Sequence, residues 1–90
     1  MSDAVLSRLV PVIFRVARLG PTESVTAATP MFGAGLSLDS VTALELLLAV
    51  EKEFGIELDP DALLAAEALR TVGTFADFVE VRVKERSRAV

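Results

Sequence analysis

Apolar residues recur along this chain at the three-to-four spacing of an amphipathic helix, and no segment alternates apolar and polar residues between hairpin turns, so the pattern predicts an all-α chain of four helices. A first helix is expected over 3–19, with Leu6, Leu9, Val10, Ile13 and Ala17 on one stripe, Ser2 or Asp3 as its cap and Gly20-Pro21 as its stop. Pro11 falls inside that stretch, so the helix either kinks there or restarts with Pro11 in its first turn. Residues 20–39 are punctuated by Gly20, Pro21, Pro30, Gly33 and Gly35 and predict a long connection. Val25, Met31, Phe32 and Leu36 are its expected anchors in the core.

The second helix is expected over 40–54, capped by Asp39 and stopped at Gly55. Leu46, Leu47 and Leu48 widen its apolar stripe beyond one core face, which predicts surface left over for a partner or ligand. A shorter helix over 60–69 follows, with Asp59 as cap and Pro60 in its first turn. The last helix is expected over 72–84 behind Thr71, with Val72, Phe75, Val79 and Val83 at helical spacing and a frayed tail over 85–90.

Composition narrows the function. The 90 residues fit one domain with one core. The chain has no Cys and no His. Thiolate chemistry, a serine–histidine triad and a His-ligated zinc site are therefore excluded. It has no Trp or Tyr and five Phe, too few for a base-stacking platform. No apolar stretch is long enough for a membrane span, and the N-terminus lacks a signal-peptide pattern, so a cytoplasmic protein is expected. Met1 and the complete helix set favour a free-standing chain.

The net charge of −4 is unevenly spread. Residues 20–69 carry nine acids against Lys52 alone, a balance of −8 between two ends of +2 each. An acidic middle disfavours nucleic acid and favours proteins with basic patches, although a solvated helix face gives the same pattern.

Candidate chemistry concentrates where a Gly-bearing loop meets the second helix, at Gly35-Leu36-Ser37-Leu38-Asp39-Ser40-Val41. Ser40 falls in the first turn, where free backbone N–H groups and the positive end of the helix dipole favour a phosphate ester on its hydroxyl. A nucleophile elbow is excluded, because its closing Gly and any His are missing.

With its flanks, this stretch resembles the acyl carrier protein family. The likeness runs from about Val5 to Val83 and rests on Leu38-Asp39-Ser40-Val41, on Glu45-Leu46, and on Glu51-Lys52-Glu53-Phe54-Gly55-Ile56. Pro30-Met31-Phe32 before the motif and Arg70-Thr71-Val72-Gly73-Thr74-Phe75 after it support the same likeness. The resemblance implies that Ser40 carries 4′-phosphopantetheine, donated by coenzyme A through a phosphopantetheinyl transferase. It implies that Asp39 caps the helix and presents Ser40, and that the arm's thiol holds acyl groups as thioesters.

The resemblance further implies a non-catalytic, monomeric carrier in fatty-acid, polyketide or related lipid biosynthesis. Val41, Glu45, Leu46, Glu51 and Glu53 would meet basic patches of acyl-transferring, condensing and modifying enzymes. Leu47, Val50, Leu64 and Leu69 would line an acyl pocket. Ser37 stands where the family has Gly, Val41 where it has Leu and Thr42 where it is often acidic, features of a specialised carrier. The alternatives are a peptidyl or aminoacyl carrier of nonribosomal synthesis, and an unmodified helical adaptor.

Overall fold

The computed structural model describes residues 3–33, 35–36 and 38–89, with side chains to residue 87; Ser2 and Ser37 lie outside the described residues. Four helices follow one another: α1 (Asp3–Val16), α2 (Ser40–Phe54), α3 (Pro60–Ala65) and α4 (Val72–Ala89). Among the described residues the sole β-type pairing is an isolated bridge between Pro30 and Thr71. The architecture is all-α, with the long α1–α2 connection and the short third helix that the pattern predicts.

α1 packs against α2 and α4. Leu9 and Ile13 of α1, Leu46 and Val50 of α2, Leu63 of α3 and Phe75 and Val79 of α4 are almost wholly withdrawn from solvent. Each such side chain contributes roughly 1.5–3 kcal/mol relative to an exposed one. α1 continues through Pro11 without restarting. Pro11 is exposed, so water can satisfy the Ser7 carbonyl that lacks a Pro11 N–H.

Three helix ends share one device. The N–H groups of Leu19, Ile56 and Ala68 bond back to the carbonyls of Phe14, Glu51 and Leu63, five residues earlier. The residue before each, Arg18, Gly55 and Glu67, is left-handed, with φ of 57°, 66° and 53°. This is the Schellman closure, in which the residue after the left-handed one turns back toward the core. Ile56 and Ala68 are buried and Leu19 half-buried. It ends α1 at Val16 and α3 at Ala65, short of the expected 19 and 69.

α4 runs on to Ala89, past the point at which fraying is expected. An Arg82–Glu85 ion pair of 2.6 Å and a hydrogen bond from Arg86 to the Gly55 carbonyl support this last part.

The α1–α2 connection is stitched to the start of α4. Val72 N–H donates to Thr29 O, Gly73 N–H to Ala27 O and Met31 N–H to Arg70 O. Met31 is buried, while Val25 and Leu36 are half-buried. Phe32 departs from the expected anchor role: it is 41% exposed, because the neighbouring Met31 fills the core position. At the start of α4, Thr71 and Thr74 cap each other reciprocally, each hydroxyl accepting the other's backbone N–H at 3.0–3.1 Å.

Candidate functional site

The first turn of α2 is held by its own cap. Asp39 is extended, at φ −88° and ψ 174°, and its Oδ1 accepts the Thr42 N–H at 2.7 Å. That backbone bond is the main reason the Asp39 carboxyl lies below the usual aspartate range; the Thr42 side chain and the Val41 N–H act in the same direction. Asp39 is therefore ionised, and a negative cap suits the positive end of the helix.

Ser40 is the first helical residue and is exposed, as Val41 is. The N–H groups of a first turn have no intrahelical acceptor, and here the cap takes that of Thr42. Ser40 also borders a shallow apolar groove, lined by Phe32, Leu38, Ala43, Leu44, Leu47 and Pro60. A second apolar groove, sharing Phe32, runs past Leu63, Leu64 and Leu69. An exposed hydroxyl at the positive end of a helix and beside an apolar groove fits a phosphate-linked arm that ends in an apolar load.

The structure divides the residues that the sequence groups together. Asp39, Ser40, Val41 and Glu45 lie at the exposed start of α2. Leu46 does not belong to a docking surface: it is 1% exposed, because helical spacing turns it into the core with Leu47 and Val50. Glu51 is half-buried, and its Oε2 accepts the Leu58 N–H at 2.7 Å. Glu53 faces Arg8, whose Nη2 donates to the Glu53 carbonyl at 2.8 Å and lies 3.4 Å from its carboxylate. Leu47 lines the groove at Ser40, Leu64 and Leu69 line the second groove, and Val50 is sealed in the core.

The docking residues expected from the sequence do not include Leu44 and Leu48, which are 53% and 57% exposed; only the surplus width of the leucine run 46–48 pointed toward Leu48. Their spacing from Val41, three and seven residues, is the signal that could have found them.

No helix among the described residues is long and apolar enough to cross a membrane, and no cluster of acidic side chains there could hold a metal ion. Residues 8–79 match the family described as phosphopantetheine attachment site. The chain is 38% identical over 69 residues to the acyl carrier protein of Afipia carboxidovorans, an alignment covering 77% of this chain and 84% of that one. It is 35% identical over 79 residues to the mitochondrial acyl carrier protein of Saccharomyces cerevisiae, covering 86% of this chain and 61% of that longer one. A match over most of the chain, on a four-helix frame, settles the family: this chain belongs to the phosphopantetheine-binding acyl carrier proteins, non-catalytic carriers whose prosthetic group is 4′-phosphopantetheine.

Proposed function

We propose that Ser40 is the attachment point and that the protein shuttles acyl thioesters between enzymes of fatty-acid, polyketide or related lipid biosynthesis. The observation that carries this reading is the exposed Ser40 in the first turn of α2, behind an ionised Asp39 cap and beside an apolar groove. In the loading reaction the Ser40 hydroxyl oxygen bonds to the phosphorus that bears the pantetheine half of coenzyme A. The bond to the nucleotide phosphate breaks, and the serine proton leaves with a base of the transferase. The bound arm supplies the thiol that a chain without Cys lacks.

The chain's own contribution is presentation. Asp39 fixes the first turn, so Ser40 is offered on a rigid helix rather than a mobile loop. The two apolar grooves that meet at Phe32 offer shelter to an acyl chain. The phosphopantetheinyl transferase and the acyl-transferring, condensing and modifying enzymes reach Ser40 along α2, where Glu45 is available to a basic group. The cytoplasm is the compartment this reading assigns, with the protein monomeric between encounters.

Intact-mass measurement after incubation with coenzyme A and a broad-specificity transferase tests the assignment. The parent gains one phosphopantetheine and Ser40→Ala gains none. A folded parent that gains nothing, or a Ser40→Ala variant that still gains the group, overturns it. Acyl and aminoacyl substrates offered to the loaded protein then separate a lipid-pathway carrier from a peptidyl one.

A further inference from the structure

Just ahead of the Asp39 cap the chain folds back on itself. The Leu36 N–H donates to the Pro30 carbonyl at 2.8 Å, and the Leu38 N–H to the Met31 carbonyl at 3.2 Å. Met31 is buried, and its own N–H donates to the Arg70 carbonyl at 3.3 Å, just before α4. Leu38 is buried as well and lines the groove at Ser40. Met31 therefore joins the frame at Arg70 to the residue that directly precedes the Asp39 cap.

Gly35 lies inside this fold. A Cβ added there would overlap the Pro30 carbonyl oxygen and come within 2.8 Å of Pro30 Cδ, closer than a side-chain carbon can sit. Among the described glycines, positive φ is found at Gly33 and Gly55 and not at Gly35. Glycine is needed at 35 for space rather than for backbone freedom, because two stretches of main chain meet there. Gly20 and Gly33, in the same connection, have open space at the corresponding position. The oxygen that a Cβ would displace is the acceptor of the Leu36 N–H, so Gly35→Ala opens the fold at its first bond.

We infer that Gly35 is a positioning residue for the loading of Ser40: by letting the chain close on Pro30, it seats Leu38 and sets the direction in which Asp39 and Ser40 enter α2. This rests on Ser40 being the attachment point. The Asp39 cap ties the first turn to itself and leaves open where the preceding chain comes from. Leu38 fixes that direction, through its bond to Met31 and its burial. With the fold open, the body of α2 stays packed by Leu46, Leu47 and Val50, while the Ser40 hydroxyl samples a wider set of orientations. The helix an enzyme grips is unchanged, and the nucleophile it must reach is misplaced. A misplacement of about 1 Å costs as much as about 100-fold in rate, so the effect falls on kcat and not on KM.

The test is transferase kinetics on the full chain with coenzyme A, read by intact mass at varied carrier concentration, well below the melting temperature of each variant. Gly35→Ala lowers kcat about tenfold or more, with KM within about twofold of the parent. Its hydrogen exchange speeds up at the Leu36, Leu38 and Thr42 amides and not at Val50. Gly55→Ala is the comparison: it strains the far end of α2 and lowers the melting temperature, and its kcat stays within about twofold of the parent. A Gly35→Ala kcat within about twofold of the parent overturns the inference. So does an equal loss of kcat in Gly55→Ala, which traces the effect to a general loosening of the fold. If Gly35→Ala does not fold, Leu38→Ala decides in its place: the same fall in kcat at constant KM sustains the inference, and a parental kcat overturns it. A folded parent that takes no phosphopantetheine fails earlier, before any variant is compared, and removes the carrier reading itself.

Discussion

At its last turn α2 is held by three other segments of the chain, whereas at its first turn it is held by one side chain of its own. Arg8 of α1 bonds the Glu53 carbonyl and lies 4.3 Å from the centre of the Phe54 ring. The Leu58 N–H reaches back to Glu51, and Arg86 of α4 bonds the Gly55 carbonyl. At the other end Asp39 bonds the Thr42 N–H, and Ser40 and Val41 are exposed. The two guanidiniums also lie where the helix dipole is negative. The difference shows how a helix can be fixed in place from its far end while its near end stays open to an enzyme.

This contrast can be broken most directly at Gly55. Its φ of 66° is left-handed, and an added Cβ would lie 3.3 Å from the Arg86 guanidinium. Gly55→Ala is expected to cost about 1–2 kcal/mol, roughly 4–16 °C in a thermal melt. An unchanged melt would mean that the far end does not anchor the helix. Next in size is Arg8→Ala, which removes a hydrogen bond, an exposed ion pair and a cation–ring contact. A loss of about 1 kcal/mol, read as a lower urea midpoint at constant slope, is expected.

The near end should respond only locally. Asp39→Ala is expected to speed hydrogen exchange at the Thr42 amide and leave exchange around Val50 alone. Asp39→Asn, whose amide oxygen still accepts, restores protection. Because the folded Asp39 carboxyl titrates below its unfolded value of about 3.9, its contribution is complete above that pH. It is lost as pH falls through the lower folded value. Thr42 protection in the parent should fall over that acid window and stay flat in Asp39→Asn. The smallest expected change in stability is that of Ser40→Ala, within about 0.5 kcal/mol by melting. A large loss there would show Ser40 to be part of the frame.

The ends of α2 were legible because both use residues whose chemistry is local. Asp39 is a strong cap, and glycine at 55 accepts a left-handed backbone at little cost. α1 and α3 close with the same backbone geometry, but Arg18 and Glu67 occupy the left-handed position. Nothing in either side chain announces that conformation; tertiary burial of Leu19 and Ala68 behind them enforces it. The exposed serine at the start of α2 was likewise visible as a cap-and-loop pattern with matching flanks. The division of its neighbours was not. Leu46 and Leu48 look alike in a leucine run, and whether Glu51 and Glu53 face a partner depends on Leu58 and Arg8, brought in by the fold.

The stitch between the α1–α2 connection and the start of α4 has a kinetic consequence. Its three hydrogen bonds join Ala27, Thr29 and Met31 to residues 70–73, and α2 and α3 lie wholly inside the circuit they close. Contacts between residues about forty positions apart are slow to nucleate, while capped helices form early. The circuit therefore closes late, and its closure fixes the loop that leads into Asp39. Gly73 sits at that closure, where an added Cβ would come within 2.8 Å of the Ala27 carbonyl oxygen. Crowding there would strain the closure and slow its formation, and with it the fixing of the loop that leads into Asp39.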